Sequence, residues 1–334
     1  MPLDGALPVF LLGVALSYVY AFIGGFTDAA NAIATAVGTR AFSPRQAVLV
    51  AAVFELLGAL TGTAVALTVG RGIVPPELLT QGAVIAALLG AMTWSLFTYR
   101  RGIPVSETHG LIGGIIGVGL YMAGADAIIW TSVLPVLAAI VVSPALGLLG
   151  GMLLLGLVYH LFQHVARPRA AALFRSLQRG SAMYMAFSHG RNDAQKPMGV
   201  LTIAIAVYVG EPATGVPLWV IFTVAAVAGL GVAAGGWRII RTLGTRVTGL
   251  SPEQGFAAET SAATVLQVAS EFGIPVSTTH TITSAIVGTG IARRWTAVRW
   301  ELVAEIAMSW LLTLPATVVL GFVFAFLIDA LIGR

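Results

Sequence analysis

One octapeptide occurs twice in this chain, as GIPVSETH at residues 102–109 and, 171 residues later, as GIPVSTTH at residues 273–280. The same offset carries Pro144 onto Pro315 and Gly150 onto Gly321. A second pair of related segments reads GFTDAA at residues 25–30 and GRNDAQ at residues 190–195. We therefore interpret the chain as a duplication, with a first half at 1–164, an arginine-rich linker at 165–180 and a second half at 181–334.

The composition places both halves in a membrane. Of the 334 residues, 57% are hydrophobic and 10% are charged, whereas about a quarter of the residues in a soluble domain are charged. Ten apolar regions approach or exceed the ~20 residues that a membrane span needs. They are residues 8–38, 46–69, 82–99, 103–123, 131–163, 181–209, 216–235, 254–271, 274–292 and 300–332. The sequence thus predicts an all-α polytopic membrane protein with about five spans in each half.

The basic residues predict how these spans are oriented. Fourteen arginines fall in loops on one side, whereas the other side receives only Arg71 and Arg334. The positive-inside rule makes the arginine-rich side cytoplasmic, so both termini are predicted outside the cytoplasmic membrane. The N-terminus lacks the basic segment of a signal peptide, so the first apolar stretch is expected to remain as a span. The basic residues form no continuous stripe, so nucleic acid is not an expected partner.

An odd number of spans per half turns the second half upside down in the membrane. Inverted repeats are typical of secondary transporters, whose sites lie at the interface of the repeats near the midplane. Pro144 and Pro315 lie within segments of more than 30 residues. Because proline removes a backbone donor and clashes with the preceding turn, we expect these segments to be kinked or broken. The fold would then contain ten to twelve helical pieces.

Acidic and amide groups inside the spans predict a cation site, because polar groups within a membrane are costly and usually functional. Asp28 lies ~18 Å from Arg40 along a helix, well within the hydrocarbon, and Asn31 follows it by one turn. The related segment of the second half supplies Asp193. Such oxygen ligands suit sodium, which we expect at Asp28, Asn31 and Asp193, or a titrating proton. Glu55 and Glu259 also interrupt apolar spans, and we count them as cation-coupling candidates against the alternative of structural hydrogen bonds.

The segment at residues 188–196 concentrates polar groups within one predicted span. It contains Lys196, the only lysine in the chain, together with Arg191. A buried lysine can neutralise Asp193 or face an anionic substrate. We include Asn192, Gln195 and Lys196 among the candidate substrate-binding residues.

The two octapeptides predict an anion site. Proline suits the first turn of a helix, and the unpaired backbone N–H groups of a helix N-terminus attract anions. One such element from each half would direct hydroxyl and amide groups at a common point, as a receptor for a tetrahedral oxyanion. The candidate ligands are Ser106, Thr108, Ser277, Thr278 and Thr279. We expect His109 and His280 to orient these loops.

Several function classes are disfavoured by the same sequence. The chain has no cysteine, which excludes thiol catalysis and zinc–thiolate sites. It contains no HExxH or GxSxG motif, and its histidines lack metal-ligand spacing, so an enzyme is not expected. Buried aspartates are poor neighbours for a passive anion channel. We predict no cofactor other than the coupling ion.

Taken together, these motifs resemble the inorganic phosphate transporter (PiT) family over about residues 20–325. The resemblance rests on the two octapeptides and on GFTDAANA at 25–32, SHG at 188–190, NDAQK at 192–196 and GFAAET at 255–260. It implies cation-coupled phosphate uptake on an inverted-repeat fold, with phosphate held by the serines and threonines of the octapeptides. It also implies that Asp28, Asn31, Asn192 and Asp193 lie near the cation sites.

Two residues depart from the family pattern, which usually has small side chains where Glu107 and Arg191 stand. We predict that they form an ion pair across the repeat interface that gates or tunes the anion site. The alternative pairs Arg191 with an aspartate and leaves Glu107 facing cytoplasmic water. A carboxylate near the anion favours phosphate, which can donate a proton, over sulfate, but a sulfate or other oxyanion permease remains the alternative. Sodium and proton coupling both stay open, and a homodimer is compatible with the resemblance.

Overall fold

A computed structural model describes residues 7–71, 73–75, 78–211 and 214–332, and within these ranges the chain folds into thirteen α-helices without a β-strand. The first half contains α1 (Leu7–Gly38), α2 (Pro44–Ala59), α3 (Ala64–Arg71), α4 (Gln81–Arg101), α5 (Glu107–Ala123) and α6 (Trp130–Leu161). The remainder contains α7 (Arg167–Asp193), α8 (Gln195–Val209), α9 (Leu218–Ala234), α10 (Trp237–Arg241), α11 (Pro252–Glu271), α12 (Thr278–Arg293) and α13 (Trp300–Ile332). Arg334 and the first six residues, which entered the orientation argument, lie outside the described residues.

The repeated octapeptide ends one helix and starts the next. Gly102 and Gly273 adopt left-handed backbone angles (φ 69° and 65°) after α4 and α11, a conformation that glycine adopts at little cost. Three residues without regular secondary structure follow, and the serine then caps the next helix: Ser106 accepts from the backbone N–H of His109 and Ser277 from that of His280, both at 3.2 Å. The prolines therefore precede the N-cap, and our prediction that they occupy the first helical turn is wrong.

Among the described residues, five helices are long and apolar enough to cross a membrane individually: α1, α4, α5 with the 3-10 turn that follows it, α6 and α13. The bent pair of α9 and residues 237–246, at an angle of 57°, forms a sixth candidate. Two of the ten predicted spans are divided. Residues 46–69 break between α2 and α3, and residues 181–209 break at Ala194, between α7 and α8.

The positions of these breaks correct the expectation about proline. Pro144 and Pro315 lie inside the uninterrupted helices α6 and α13. The break at Ala194 has its physical reason in Pro197, which has no N–H to donate to the carbonyl of Asp193 four residues earlier. As a result α7 ends at Asp193, and α8 restarts two residues later with Pro197 in its first turn.

Helices of the two halves pack against each other in matching pairs. α6 packs against α12 and α11, and α13 packs in the same way against α5 and α4. Likewise α2 packs against α7, and α1 against α9. Each half therefore contributes its octapeptide helix, α5 or α12, to a long helix of the other half. These exchanged contacts bring the two octapeptides together.

The outward faces of the long helices are apolar. Val141 and Leu153 on α6 are 70% and 67% exposed, and Leu311 and Val319 on α13 are 68% and 60% exposed. Large aliphatic side chains at this exposure suit a lipid environment, in which all backbone polar groups are satisfied within the helices. The chain is a multi-pass membrane protein.

Candidate functional site

A small buried cavity lies where α1, α2, α5, α7 and α8 meet. It has room for water but for nothing larger, at about 20 Å³. Its polar lining consists of Tyr20, Asp28, Glu55, Glu107, His189, Asp193 and Lys196. Four of these groups are carboxylic acids, against one lysine and one histidine. All of them except Tyr20 come from the segments in which the sequence placed polar groups inside the membrane.

Asp193 is the centre of this cluster. One carboxylate oxygen contacts Lys196 Nζ at 2.8 Å, and the other accepts a hydrogen bond from Thr278 Oγ1 at 2.8 Å. The second oxygen also lies 3.4 Å from His189 Nε2, while His189 Nδ1 lies 3.0 Å from Glu55. The imidazole thus bridges two carboxylates. The pairing of Lys196 with Asp193 is one of the two roles that the sequence allowed for this lysine.

The first turn of α12 contacts the polar segment of α1 that contains Asp28 and Asn31. Thr279 Oγ1 donates to Asp28 Oδ1 at 3.2 Å, and Asn31 Nδ2 donates to Thr279 Oγ1 at 2.9 Å. Asn31 Oδ1 is buried and has no hydrogen-bond partner within the described ranges. A buried acceptor without a donor is costly, and a cation supplies what such an oxygen needs.

Three of the lining residues form a candidate metal-binding group. Asp28, His189 and Asp193 can each offer one ligand atom, and these atoms lie within 4.8 Å of one another. Asn31, whose unpartnered oxygen belongs to the same α1 segment as Asp28, adds a hard-oxygen ligand type. Carboxylate and carbonyl oxygens are the ligands that hard cations prefer. The residues present therefore fit a cation.

Close backbone contacts between α2 and α7 position Glu55 and His189. A Cβ atom at Gly58 would collide with the backbone of Phe187, and one at Gly190 would collide with the backbone of Glu55. Only glycine permits this approach, which helps to bring His189 Nδ1 within reach of Glu55.

The two octapeptides meet beside the cavity. Thr108 Oγ1 donates to the carbonyl of Val276 at 3.0 Å, and the rings of His109 and His280 lie edge to face with centroids 4.8 Å apart. Trp310 stacks on His280 at 4.0 Å and donates from Nε1 to the carbonyl of Pro104 at 3.1 Å. One element from each half thus reaches a common point, as the sequence predicted.

Glu107 faces the cavity but does not pair with Arg191, so the predicted ion pair is wrong. The carboxylate of Glu107 accepts hydrogen bonds from Thr27 at 2.9 Å and from Ser95. These hydroxyls take the place of a cationic partner, and Glu107 is 5% exposed rather than facing cytoplasmic water.

Arg191 extends instead toward the C-terminal turn of α11. It donates to Gln267 at 2.7 Å and pairs with Glu271. The alternative pairing of Arg191 with an aspartate is also wrong, because Asp193 is paired with Lys196 and His189. The physical reason is helical geometry: Arg191 and Asp193 are two residues apart in α7, and side chains at this spacing point to different faces of a helix.

Four further candidates have structural contacts. Gln195 Oε1 accepts from the backbone N–H groups of Val65 and Ala66 at 2.8 and 3.2 Å, so it caps α3 rather than facing an anion. Ser106 and Ser277 use their oxygens as helix caps, as described above. In the orientation that satisfies both ends of its amide, Asn192 donates to the carbonyl of Val276 and to Asp193, both at 3.1 Å.

Glu259 lies outside the lining of the cavity. It is fully buried and accepts hydrogen bonds from Thr35 at 2.5 Å, from Gln178 at 3.1 Å and from Ser181. Three neutral donors satisfy this carboxylate, which corresponds to the structural alternative for Glu259 rather than to cation coupling.

Sequence reasoning missed several residues of the site. Tyr20 lines the cavity and donates to the carbonyl of Glu107 at 3.2 Å. Trp310 contacts both octapeptides, and no sequence motif marked it. Ser95 and Thr27 had no sequence signal of their own, except that Thr27 precedes Asp28. His189 lies within the quoted SHG motif, but it was given no role, and its partners lie on another helix or one turn away.

Comparison with known proteins identifies the family of this chain. The model of the phosphate transporter family matches residues 24–321. A protein of Rhizobium meliloti (strain 1021), named "Probable low-affinity inorganic phosphate transporter", is 43% identical over 319 residues, which cover 95% of each chain. A Bacillus subtilis (strain 168) protein of the same name is 37% identical over 98% of this chain and 99% of its own.

A solved structure shares the complete fold. The chain titled "The sodium-dependent phosphate transporter" superposes with a TM-score of 0.90 at 27% identity, covering 97% of this chain and 100% of that one. The matched relatives are transporters and not enzymes. This chain belongs to the phosphate transporter family.

Proposed function

We propose that this protein imports inorganic phosphate across the cytoplasmic membrane by alternating access, coupled to sodium or to protons. Family membership supports phosphate as the substrate, and the names of the relatives in Rhizobium meliloti and Bacillus subtilis agree with it. The structural neighbour is titled as sodium-dependent, which favours sodium as the coupling ion. We further propose that both termini lie outside the cytoplasm, as the arginine distribution predicts.

The charge balance of the central cavity carries the proposal for coupling. Four carboxylic acids line it, and only Lys196 and His189 can oppose them. A phosphate anion entering such a cavity would face a net excess of acidic groups in a medium that screens charge weakly. Sodium ions or protons must therefore neutralise the acids before the anion is stable there. This requirement makes transport of the anion dependent on the cation.

The hydroxyl groups of α12 provide the second part of the mechanism. In the described state Thr278 donates to Asp193 and Thr279 donates to Asp28. A phosphate oxygen would need the same two donors, together with the amide of Asn31. A cation that takes the oxygens of the aspartates releases these donors for phosphate. Cation and anion binding are thus linked through shared side chains.

The size of the cavity supports a cycle of closed and open states. About 20 Å³ leaves room for water and none for phosphate. The described conformation is therefore closed around the site, and substrate can enter only after a movement. The break between α7 and α8 lies at Asp193 itself, which makes it one candidate for the moving element. The second candidate is a movement of the two inverted repeats, residues 1–164 and 181–334, relative to each other. The exchanged contacts between these halves support it.

Uptake into proteoliposomes tests this function. The purified protein is reconstituted, and labelled phosphate or labelled sulfate is supplied under an imposed inward sodium gradient, an inward proton gradient or neither. We expect accumulation of phosphate against its gradient under one of the two ion gradients. A preference for sulfate would establish the alternative oxyanion. Equal uptake with and without ion gradients would contradict coupling, and no uptake by folded protein would contradict the function.

Single cysteines test the orientation, because the natural chain has none. Cysteine at Gly180 or at Gly215, which are both exposed, is labelled in intact cells with a reagent that does not cross the membrane. We expect labelling at Gly215 and protection at Gly180. The reverse pattern would invert the proposed topology.

A further inference from the structure

Five arginines from two separate segments line one open pocket at the predicted cytoplasmic face. Arg100 and Arg101 end α4, whereas Arg238, Arg241 and Arg246 lie in α10 and in the π-helical turn that follows it. Gly102, Trp237 and Thr242 complete the wall of this arginine pocket. Its volume is about 280 Å³, more than tenfold that of the central cavity measured in the same way.

The charge of the arginine pocket is balanced only in part by neighbouring side chains, since Arg246 also borders an adjacent pocket lined by Glu301 and Glu305. All five arginines are exposed, and none forms an ion pair with a carboxylate in the part of the chain that the structure describes. Among the described residues, no acidic side chain lines the pocket itself. Five guanidinium groups held around one space repel each other, and an anion between them would remove that repulsion. The arrangement therefore favours an anionic ligand.

The chemistry of the groups identifies the class of anion. Guanidinium donors form a rigid fork that matches phosphate oxygens in pairs. Trp237 is 44% exposed at the rim, and tryptophan is enriched at the membrane–water interface. Basic pockets between helices on the cytoplasmic side suit anionic lipid headgroups. We propose that the arginine pocket binds a phosphate group, presented either by an anionic membrane lipid or by free inorganic phosphate on the cytoplasmic side.

The pocket also contacts the segment that leads to the central site. Thr242 Oγ1 donates to the carbonyl of Gly102 at 2.8 Å, and Arg238 donates to the carbonyl of Arg100 at 2.5 Å. Gly102 opens the extended loop that ends at Ser106, the cap of α5, directly before Glu107. A phosphate group bound by these arginines would stabilise the contact between α10 and this loop. The same position in the second octapeptide, Gly273, contacts Thr68 of α3 instead, which donates to its carbonyl at 2.8 Å.

Binding measurements test the proposal without a transport assay, so its failure is separable from failure of the proposed function. The test variant combines Arg238→Gln, Arg241→Gln and Arg246→Gln. The matched control combines Arg167→Gln, Arg169→Gln and Arg175→Gln, which remove the same charge from exposed positions of α7 on the same predicted face. Size-exclusion chromatography and circular dichroism verify folding. Arg241→Gln alone serves as a milder variant if the triple variant does not fold.

The two sources of the phosphate group are separated by two arms of the experiment. Native mass spectrometry measures retention of added phosphatidylglycerol against phosphatidylcholine, and calorimetric titration of delipidated protein measures binding of inorganic phosphate. We expect the test variant to lose at least about tenfold in affinity in one arm, and the control to lose none. Loss in the first arm assigns the pocket to lipid, and loss in the second assigns it to free phosphate. Unchanged binding in both arms, or equal loss in the control, would overturn the proposal.

Discussion

Replacing Asp193 with asparagine should destabilise the protein mainly through the lysine that it leaves behind. Lys196 Nζ lies 2.8 Å from the carboxylate, and its side chain is 2% exposed. Removing one member of a buried pair strands the other charge, at a cost of about 3–5 kcal/mol. At ~2 °C per kcal/mol for a chain of this size, the apparent melting midpoint should fall by roughly 6–10 °C. Asp193→Asn also removes an acceptor for Thr278 and a partner of His189, so transport should be lost.

A double-mutant cycle separates the ion pair from the remaining contacts. Lys196→Met keeps the apolar stem of the side chain and removes its charge. Each single variant should melt well below the wild type, whereas the double variant should recover most of the loss because no unpaired charge remains. Thermal melting in detergent, followed by circular dichroism, measures all three variants. Asp126→Asn makes the same chemical change at an exposed position and should stay within about 0.5 kcal/mol of the wild type.

The result that would refute this reasoning is additivity. If the losses of stability from Asp193→Asn and Lys196→Met simply sum, the two residues do not stabilise each other, and the Asp193–Lys196 contact does not act as an ion pair. Recovery of stability should not bring recovery of transport. In the proposed mechanism Asp193 must exchange between Thr278 and a cation, and asparagine cannot be neutralised by one. A folded double variant that accumulates phosphate with unchanged ion dependence would remove Asp193 from coupling.

Three further outcomes follow from single contacts. Thr279→Val should raise the phosphate concentration needed for half-maximal uptake at least about tenfold, because a hydrogen bond to a charged group contributes ~1.5–3 kcal/mol; Thr281→Val, on the same helix but bonded to the backbone of Ser277, is its control. Glu271→Gln should change the melting midpoint little, because an exposed pair with Arg191 contributes at most ~1 kcal/mol, and a large loss of stability would show that this pair is more than a surface contact. Ser106→Ala should cost ~1 kcal/mol as a lost helix cap while leaving phosphate affinity unchanged; a matching loss of affinity in uptake assays would make Ser106 a ligand instead.

Local signals in the sequence determined most of the helices. The bounds of α1, α6 and α13 follow from continuous apolar runs, which in a membrane can only be helical. The octapeptides were informative because each residue in them has a local task, from the left-handed glycine to the capping serine. Interior proline was less informative. Pro144 is accommodated within an apolar helix, whereas Pro197, which follows the polar segment 188–196, coincides with a helix break, so a proline alone did not predict where a helix ends.

The contacts of the site could be predicted only in part. Asp28, Asn31 and Asp193 were recognisable because carboxylate and amide groups inside apolar spans are costly without a partner. Their actual partners could not be predicted, because Thr278 and Thr279 approach through tertiary packing of α12. Glu107 and Arg191 show the limit of pairing by charge alone. The two residues are opposite in charge, yet Glu107 accepts hydrogen bonds from neutral hydroxyls and Arg191 pairs with Glu271.

In the proposed mechanism, the excess of carboxylates over cationic groups would allow one cavity to serve both a cation and an anion. A site with enough fixed positive charge to hold phosphate alone would bind it without a cation, and transport would then be uncoupled. A site with only acids would bind cations without phosphate. The site described here is intermediate between these cases. Lys196 balances the charge of Asp193 at 2.8 Å, so the other carboxylic acids of the lining, such as Asp28, remain to be neutralised by cations from solution. In this arrangement the shared threonines link the two ligands: phosphate gains their hydroxyls only when a cation takes their place on the aspartates.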